Sequence, residues 1–396
     1  MTIAETGAPE RRDTRVRALA TGIAILIPFA FLALGILRAY PFVDDVRLPA
    51  VRGDDWHTYK RLAVSVLQGG LSMPGVSASY TGLPHGFLYI YFLALVFALS
   101  AVNSTYVYVV QSAIAGLSVS LTYVAVRRRL TARGGLAFLV ALTGLVYVDV
   151  FRHLCFKLLS ENLYFLLAPP AFILLFRAFE RRGHATLDPF FAGLLLGLVV
   201  LARPSFVGST AAVLVVLAVA AAMRQIAFRT IAAVALGAAV AASTVAIRNY
   251  AAAGHASFDL VTDTFDWLKL WDLPLRQALS LLATRTMFVL GYTHALAPAY
   301  RVRPYWTALW VLWAAFPFVG LRRGRRLDLS DCVMYAFVVG YIVPVLLVAA
   351  DLGSYGGRMV IVVLPLLLIA PFRMFCGVDR GSPEPVPGHG AAHVWH

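Results

Sequence analysis

Charged side chains, and acidic ones above all, are scarce in this sequence. They amount to 14% of its 396 residues, with 20 Asp and Glu against 34 Lys and Arg, whereas hydrophobic residues amount to 60%. A mean hydropathy of +0.77 is typical of proteins that cross a membrane several times, and it excludes an ordinary water-soluble domain. No polar stretch between the apolar runs is long enough for a second domain, so we expect a single integral one.

Cysteine is also rare. Cys155, Cys332 and Cys376 lie far apart in the sequence, which excludes a disulfide framework and a metal-binding knuckle. The excess of basic residues does not indicate a nucleic-acid partner, because the arginines cluster between apolar runs, where they set topology and contact lipid headgroups. We therefore expect membrane lipids, and no nucleic acid, among the partners.

The arginine clusters decide between two topologies. Arginines precede the first apolar run, 17–37, and no small-residue cleavage site follows it, so we expect a retained span with residues 1–16 in the cytoplasm. The run 85–100 is short and follows Pro84. If it crossed the membrane, the clusters at 127–129, 181–182 and 322–326 would all lie outside. As a re-entrant or surface segment it places every cluster in the cytoplasm, which we prefer.

This choice predicts an all-α integral membrane protein with ten spans and both termini in the cytoplasm. The transmembrane domain covers 17–375 and is followed by a disordered cytoplasmic tail, 376–396. Two outer loops, 38–104 and 251–304, face the periplasm or cell exterior from a cytoplasmic membrane. The predicted spans are 17–37, 105–126, 134–151, 162–179, 186–201, 204–223, 226–247, 305–321, 331–350 and 359–375.

The most polar run near the N-terminus predicts an amphipathic helix in the first outer loop. Asp54 and Asp55 open it, apolar residues follow at helical spacing, and Gly69 and Gly70 close it. We expect this helix to lie in the membrane interface with its apolar side in lipid. Its acids would then stand over the membrane surface.

The polar groups predicted at the outer face favour one reaction class. A carboxylate beside several arginines suits the transfer of a sugar from a polyprenyl phosphate to a hydroxyl acceptor. The carboxylate acts as general base on the acceptor, and the departing phosphate needs cations, best supplied by the planar fork of arginine. Hydrolysis of a glycoside would instead use two carboxylates. The arginines at this face are Arg203, Arg248 and Arg358.

Several short motifs carry a resemblance to the GT-C glycosyltransferases, which include the protein O-mannosyltransferases and the aminoarabinose transferase of lipid A. They follow the family order over roughly residues 15–375. The segments are Asp55-Trp-His-Thr-Tyr59 with Leu62-Ala63, Pro84-His-Gly-Phe-Leu88, Leu158-Leu-Ser-Glu161, Gly193 to Gly197 with Leu201-Ala-Arg-Pro204, Ile247-Arg-Asn-Tyr250, and Gly357-Arg358 with Leu364-Pro365.

The resemblance implies a GT-C-like fold with juxtamembrane helices in the first outer loop. It also implies a polyprenyl-phosphate-sugar donor, inversion at the anomeric carbon, and a site at the outer face. The acceptor would be a lipid, a glycan or a protein. Two positions depart from the family pattern: Asn162 replaces a proline after the second-loop acid, and Met359 replaces a tyrosine after Arg358.

Each candidate site residue also has a simpler interpretation. We assign the helix cap to Asp54 and the general base to Asp55, because the motif tyrosine follows Asp55 by four residues. Glu161, the second-loop acid, either caps a span or serves the site. Arg203 and Arg248 either contact the donor phosphate or mark span ends and reach lipid headgroups. Arg358 follows two glycines that allow close approach of the backbone. The candidates for substrate binding are Tyr59, His57 and Lys269.

Two questions stay open at the level of sequence. Asp54, Asp55 and Glu161 together could hold a divalent cation, but some members of the family use one and others do not. The same acids and arginines could also serve a transporter or a flippase of lipid-linked sugars, or a non-catalytic assembly subunit with the same fold. Transporters place ionisable residues in mid-span, whereas here nearly all fall near span ends, Asp149 being the nearest exception.

Overall fold

The computed structural model of the chain describes residues 8–39, 55–69, 87–152, 154–156, 158–180, 187–253, 273–290, 303–322, 327–348 and 360–377. These residues form helices and turns, with one isolated β-bridge between Leu130 and Gly377 and no strand. The all-α class predicted from composition is therefore confirmed for the described part of the chain.

Thirteen α-helices follow one another in the described part of the chain. They are α1 (Ala8–Ala39), α2 (Asp55–Gly69), α3 (Phe87–Ser100), α4 (Ser104–Val126), α5 (Ala132–Leu145), α6 (Glu161–Glu180), α7 (Leu187–Ala202), α8 (Val207–Ala222), α9 (Phe228–Ala253), α10 (Leu275–Val289), α11 (Pro304–Arg322), α12 (Leu329–Val348) and α13 (Leu364–Cys376). A π-helical segment, Val146–Phe151, continues α5, and 3₁₀ turns at Arg127–Arg129 and Pro204–Phe206 follow α4 and precede α8.

Seven described segments are long and apolar enough to cross a membrane. They are Arg12–Ala39, Ser104–Arg129, Ala132–Phe151, Glu161–Glu180, Pro204–Ala222, Phe228–Arg248 and Leu329–Leu347. Large apolar side chains such as Leu26, Phe29 and Phe228 are exposed on their surfaces, as contact with lipid requires. The chain is a multi-pass membrane protein. Each of the ten predicted spans coincides with a described helix, but α7 and α13 are shorter and α11 is not among the seven, so the count of ten stays a prediction.

Ion pairs define the two ends of the helix bundle. At one end, Glu161 at the start of α6 pairs with Arg203, which follows α7. We call this the Glu161 end. At the other end, Arg129 after α4 pairs with Asp328 before α12, and we call this the Arg129 end. Since consecutive helices α6, α7 and α8 run between the two ends in turn, the bundle alternates in direction, as the topology predicted.

Helix α3 stays within the half of the bundle at the Glu161 end. Its 14 residues extend about 21 Å, less than the ~30 Å of a bilayer core. Its first residues, Phe87 and Leu88, pack against a cluster that includes Leu201, near the end of α7. A three-residue turn joins its last residue to α4, which Asn103 caps by accepting a bond from the Thr105 amide at 2.8 Å. This geometry agrees with the prediction that residues 85–100 do not span.

Helix α2 lies against protein, not lipid. Its apolar residues Tyr59, Ala63 and Val66 are buried in a cluster with Tyr89 and Leu93 of α3. The rings of Tyr59 and Tyr89 meet edge to face, with centroids 5.0 Å apart. The prediction that the apolar side of this helix faces lipid was therefore wrong, because α3 covers that side. The spacing of apolar residues in α2 indicates that one side is buried, but not whether lipid or another helix covers it.

Small residues bring α7 and α9 into close contact. A Cβ atom on Gly193 would collide with the α9 backbone, and Gly197 lies directly against Ala241. A Gly-x-x-x-Gly pair allows helix backbones in membranes to approach in this way. Because both contacts advance in the same direction along the two helices, α7 and α9 are parallel. Their C-terminal ends, marked by Arg203 and Arg248, therefore lie at the same end of the bundle.

The predicted outer loop 251–304 is partly helical. Helix α9 continues to Ala253, and α10 covers Leu275–Val289. The buried Arg285 of α10 donates a hydrogen bond to the carbonyl oxygen of Leu346 in α12 at 2.7 Å. This part of the predicted loop is therefore a helix, held by contacts with a helix some sixty residues later. The predicted tail lies outside the described residues beyond Gly377.

Candidate functional site

Several predicted site residues lie outside the described part of the chain. Asp54, Lys269 and Arg358 belong to this group. The backbones of Asp55 and His57 form the first turn of α2, but their side chains are not among those described. The assignment of the helix cap to Asp54 and of the base to Asp55 therefore stays a prediction.

A buried ion pair between Glu161 and Arg203 forms the centre of the site. Glu161 is the first residue of α6, and Arg203 precedes Pro204, which begins the turn into α8. The Glu161 side chain is 1% exposed and the Arg203 side chain 10%. Two charges removed from water to this extent must compensate each other. The sequence predicted separate roles for these residues, and the structure makes them partners.

The surroundings of Arg203 keep it charged. Burial alone lowers the pKa of a guanidinium, but the adjacent Glu161 carboxylate outweighs this effect and raises the pKa of Arg203 above its usual value. The Arg203 Nε donates to the Ser205 hydroxyl at 3.1 Å. Tyr341 of α12 lies beside this group, its ring stacked on Phe206 at 4.4 Å. The guanidinium is thus held on several sides.

A chain of hydroxyl groups connects this ion pair to α2. The Tyr59 hydroxyl donates to Ser160 Oγ at 3.2 Å, and the Ser160 hydroxyl donates to Glu161 Oε2 at 3.4 Å. Asp55 precedes Tyr59 by four residues, so it lies on the same face of α2, with the two Cα atoms about 6 Å apart. The structure therefore brings the first-loop motif and the second-loop motif, a hundred residues apart in sequence, into direct contact.

Gln111 forms a second polar centre beneath the first. Its Oε1 accepts from the Tyr89 hydroxyl at 2.7 Å and from Asn162 Nδ2 at 3.1 Å, and its Nε2 donates to the Cys155 carbonyl oxygen at 2.8 Å. These bonds join α3, α4, α6 and the segment before α6. Sequence reasoning missed Gln111, although a single amide inside an apolar span is a signal, because it must find polar partners in the bundle.

Asn162, which stands where the motif of the resembled glycosyltransferases has a proline, holds the loop that precedes Glu161. Its Nδ2 also lies 3.1 Å from the carbonyl oxygens of Leu154 and Leu159. A proline has no side-chain donor and could not make these bonds. Asn162 therefore fixes this loop with hydrogen bonds, where a proline would fix it with its rigid ring.

Arg248 lies at the same end of the bundle and contacts α3. It is half-buried and bonds to the side chain of Tyr91. The structure therefore places the second predicted phosphate contact beside the juxtamembrane helices. Arg203 and Arg248 both contact side chains of other helices. Arginines that only marked the ends of spans would not need such partners.

Sequence reasoning missed a further arginine, Arg38, at the end of α1. Its guanidinium carbon lies 4.5 Å from the centre of the Phe156 ring and 5.9 Å from that of Phe151. Arg38 directly follows the first apolar run, which made it look like an ordinary span-end residue. Nothing in the sequence indicated that Phe156, in another connection, would lie beneath it.

Asp149 forms a closed group of its own. It is buried in the π-helical segment, pairs with Arg303, and accepts bonds from the Tyr305 hydroxyl on both oxygens at 2.8 and 2.9 Å. The guanidinium of Arg303 also stacks on Trp306 at 4.9 Å. π-Helical segments often occur at functional sites. Both oxygens of this carboxylate, however, already accept hydrogen bonds from Arg303 or Tyr305.

Two other chemistries gain no support from the described residues. The thiol of Cys155 is buried, and burial raises its pKa well above the usual value, so it is a poor nucleophile. Within the part of the chain that the structure describes, no three His, Cys, Asp or Glu side chains come together. The predicted cation site includes Asp54 and Asp55, whose side chains lie outside that part, and it stays a prediction.

Comparisons with protein-family models, with curated proteins and with solved structures find no match for this chain.

Proposed function

We propose that this protein is an inverting membrane glycosyltransferase that transfers a sugar from a polyprenyl-phosphate donor to a hydroxyl group of a lipid, glycan or protein. The observation that supports it best is the bond between Tyr59 and Ser160. This bond joins the helix that begins at Asp55 to the buried pair of Glu161 and Arg203. A base candidate, a second acid and an arginine thereby meet at one end of an apolar bundle.

The proposed reaction needs one proton acceptor. Asp55 takes the proton of the acceptor hydroxyl while the acceptor oxygen forms a bond to the anomeric carbon. The bond between that carbon and the phosphate oxygen breaks, and the phosphate keeps the electron pair. Since the leaving group is a phosphate, it does not require a proton, and nearby cations stabilise its developing charge.

The geometry refines the role of Arg203. A phosphate that displaced Glu161 from it would leave a carboxylate that is 1% exposed without its cation, at an expected loss of about 3–5 kcal/mol. Arg203 therefore serves mainly to hold Glu161 and, through Ser160, to position α2. Its positive charge still contributes to the potential at the site, although the ion pair as a whole is neutral.

The placement of charges supports transfer over transport. Among the described residues the buried charged side chains are Arg129, Asp149, Glu161, Arg203, Arg285 and Asp331. Five of these lie at or near the ends of membrane helices, and Arg285 belongs to the shorter α10. A transporter path would place such groups at the bilayer midplane.

The charge of the connections suggests the orientation. Arg127, Arg128 and Arg129 lie at the Arg129 end, which the positive-inside rule assigns to the cytoplasm. The Glu161 end would then face the periplasm or the exterior from a cytoplasmic membrane. This orientation matches that of a transferase supplied with a lipid-linked donor on the outer leaflet.

The test compares Asp55→Asn with Asp54→Asn in liposomes that contain a donor labelled in the sugar and candidate acceptors. Asparagine also caps a helix, so both variants should keep the thermal stability of the wild type. We expect Asp55→Asn to lower sugar transfer on the order of 100-fold or more and Asp54→Asn to lower it less. Full activity in both variants would contradict the role given to α2. Movement of intact donor across the bilayer, without release of sugar from its phosphate, would indicate a flippase instead.

A further inference from the structure

The arginines at the Glu161 end differ in what they contact. Arg203 pairs with Glu161, and Arg303 pairs with Asp149. Both carboxylates are almost fully buried, so neither is available to another cation. Arg38 is exposed and, among the described residues, contacts aromatic rings and no carboxylate. It therefore carries a positive charge that the described part of this end does not neutralise.

The aromatic contact supports the Arg38 guanidinium, whose carbon lies over the Phe156 ring. The ring face attracts the cation, while its N–H groups remain donors for a ligand. The supporting Phe156 ring is itself held by Phe151 at 5.3 Å and by Tyr108 at 5.9 Å. An arginine that only reached toward water from a span end would need no such support.

The position of Arg38 matches the depth of lipid phosphates. It is the penultimate residue of α1, which ends at Ala39, so it lies where an apolar span leaves the hydrocarbon layer. Arg152, also exposed, directly follows Phe151 and adds positive charge to the same region. A planar guanidinium at this depth is suited to two parallel hydrogen bonds with phosphate oxygens.

From these contacts we propose that Arg38, supported by the Phe156 ring, binds the phosphate group of a lipid at the Glu161 end. Where that lipid is the sugar donor, the inference rests on the proposed function and makes Arg38, rather than Arg203, the first phosphate contact. The recognition of a lipid phosphate itself depends only on the contacts of Arg38.

The test measures equilibrium binding to purified protein in phosphatidylcholine nanodiscs. The probes are a polyprenyl monophosphate, phosphatidylglycerol and inorganic phosphate, in separate titrations. Arg38→Gln should weaken binding of a lipid phosphate roughly 10- to 100-fold, as expected for the loss of a charged hydrogen bond, and Arg38→Lys should recover part of it. An effect on the polyprenyl phosphate alone identifies a donor-type lipid, and an equal effect on phosphatidylglycerol identifies a general site for anionic headgroups.

The control is Arg229→Gln, which removes an equally exposed arginine at the start of α9, at the Arg129 end. Phe156→Leu should weaken binding a few-fold, but it should add little in the presence of Arg38→Gln, since Phe156 acts through Arg38. Unchanged lipid binding in a folded Arg38→Gln protein, an equal loss in Arg229→Gln, or an effect confined to inorganic phosphate would each overturn the proposal. If lipid binding depends on Arg38 while no sugar transfer occurs, the proposed function fails and this inference stands.

Discussion

The two ends of the bundle both pair arginines with carboxylates, but only at the Arg129 end do the described pairs join into one network. At the Arg129 end, Arg129 and Arg373 face Asp328 and Asp331. Arg129 also donates to the Ser330 hydroxyl. Two cations thus meet two anions in a network that joins the end of α4, the start of α12 and the end of α13.

The Glu161 end carries more arginines than carboxylates in its described part. Glu161 and Asp149 each have one arginine partner. Arg38 and Arg152 are exposed beyond these pairs. The four groups at the Arg129 end compensate one another and stabilise the fold, whereas Arg38 at the Glu161 end lies over aromatic rings and pairs with no described carboxylate. Exposed arginines such as Arg229 also lie at the Arg129 end, so the comparison is between a self-compensating network and a single supported arginine that can bind an anion.

The largest effect is expected from Arg373→Gln in the network at the Arg129 end. It would leave Asp331, whose side chain is 3% exposed, without its cation, and removal of one partner of a buried pair costs about 3–5 kcal/mol. The thermal unfolding temperature in detergent should fall clearly. The matched control is Arg128→Gln, because Arg128 is 69% exposed and pairs with Glu180 at the surface, where such a pair contributes about 0–1 kcal/mol. Equal stability of the two variants would contradict the structural role of the network.

A pair of double variants sharpens the comparison further. Arg203→Gln alone should destabilise as strongly as Arg373→Gln, because it leaves Glu161 buried and uncompensated. Adding Glu161→Gln removes that charge and should restore most of the stability. Transfer activity should stay at least about 10-fold reduced in this double variant, since the charged positioning group is absent.

The corresponding double variant at the other end is Arg373→Gln with Asp331→Asn. It should recover stability and transfer activity together, because that network contacts no proposed substrate. Thermal unfolding and a sugar-transfer assay, measured on the same preparations, distinguish the two behaviours. Loss of transfer in both double variants, or in neither, would remove the functional distinction between the ends.

The smallest effect concerns the hydroxyl chain between α2 and α6. Ser160→Ala removes the acceptor of the Tyr59 hydroxyl and one donor to Glu161, at an expected loss of about 0.5–1.5 kcal/mol in stability for each lost hydrogen bond. Transfer should fall a few-fold as α2 loses its support. Tyr59→Phe removes the other partner of the same bond, so the double variant should lose less than the sum of the two single variants. Additive losses would show that the two groups act separately.

Much of the architecture follows from local patterns in the sequence. Long apolar runs predicted the membrane helices, and arginine clusters predicted which of their ends lie together, as the pairs of Arg129 and Glu161 confirm. The short run that became α3 was predicted not to span, because that choice placed every arginine cluster on one side. These features are readable because they depend on the composition of each segment and on its contact with lipid.

The partners of each polar group depended on the tertiary structure. Tyr59 and Ser160 are about a hundred residues apart. The apolar side of α2 was assigned to lipid because the sequence does not indicate that α3 covers it. The Phe156 ring that supports Arg38 likewise belongs to a separate connection between helices. The periodic spacing of apolar residues predicts that one face of a helix is buried, and a position at the end of a span predicts that a charge lies near the membrane surface. Neither pattern indicates which residues of another helix will contact that face or that charge. Those partners are set by how helices pack, which is decided by small residues such as Gly193 and Gly197 and by polar groups that must find one another away from water.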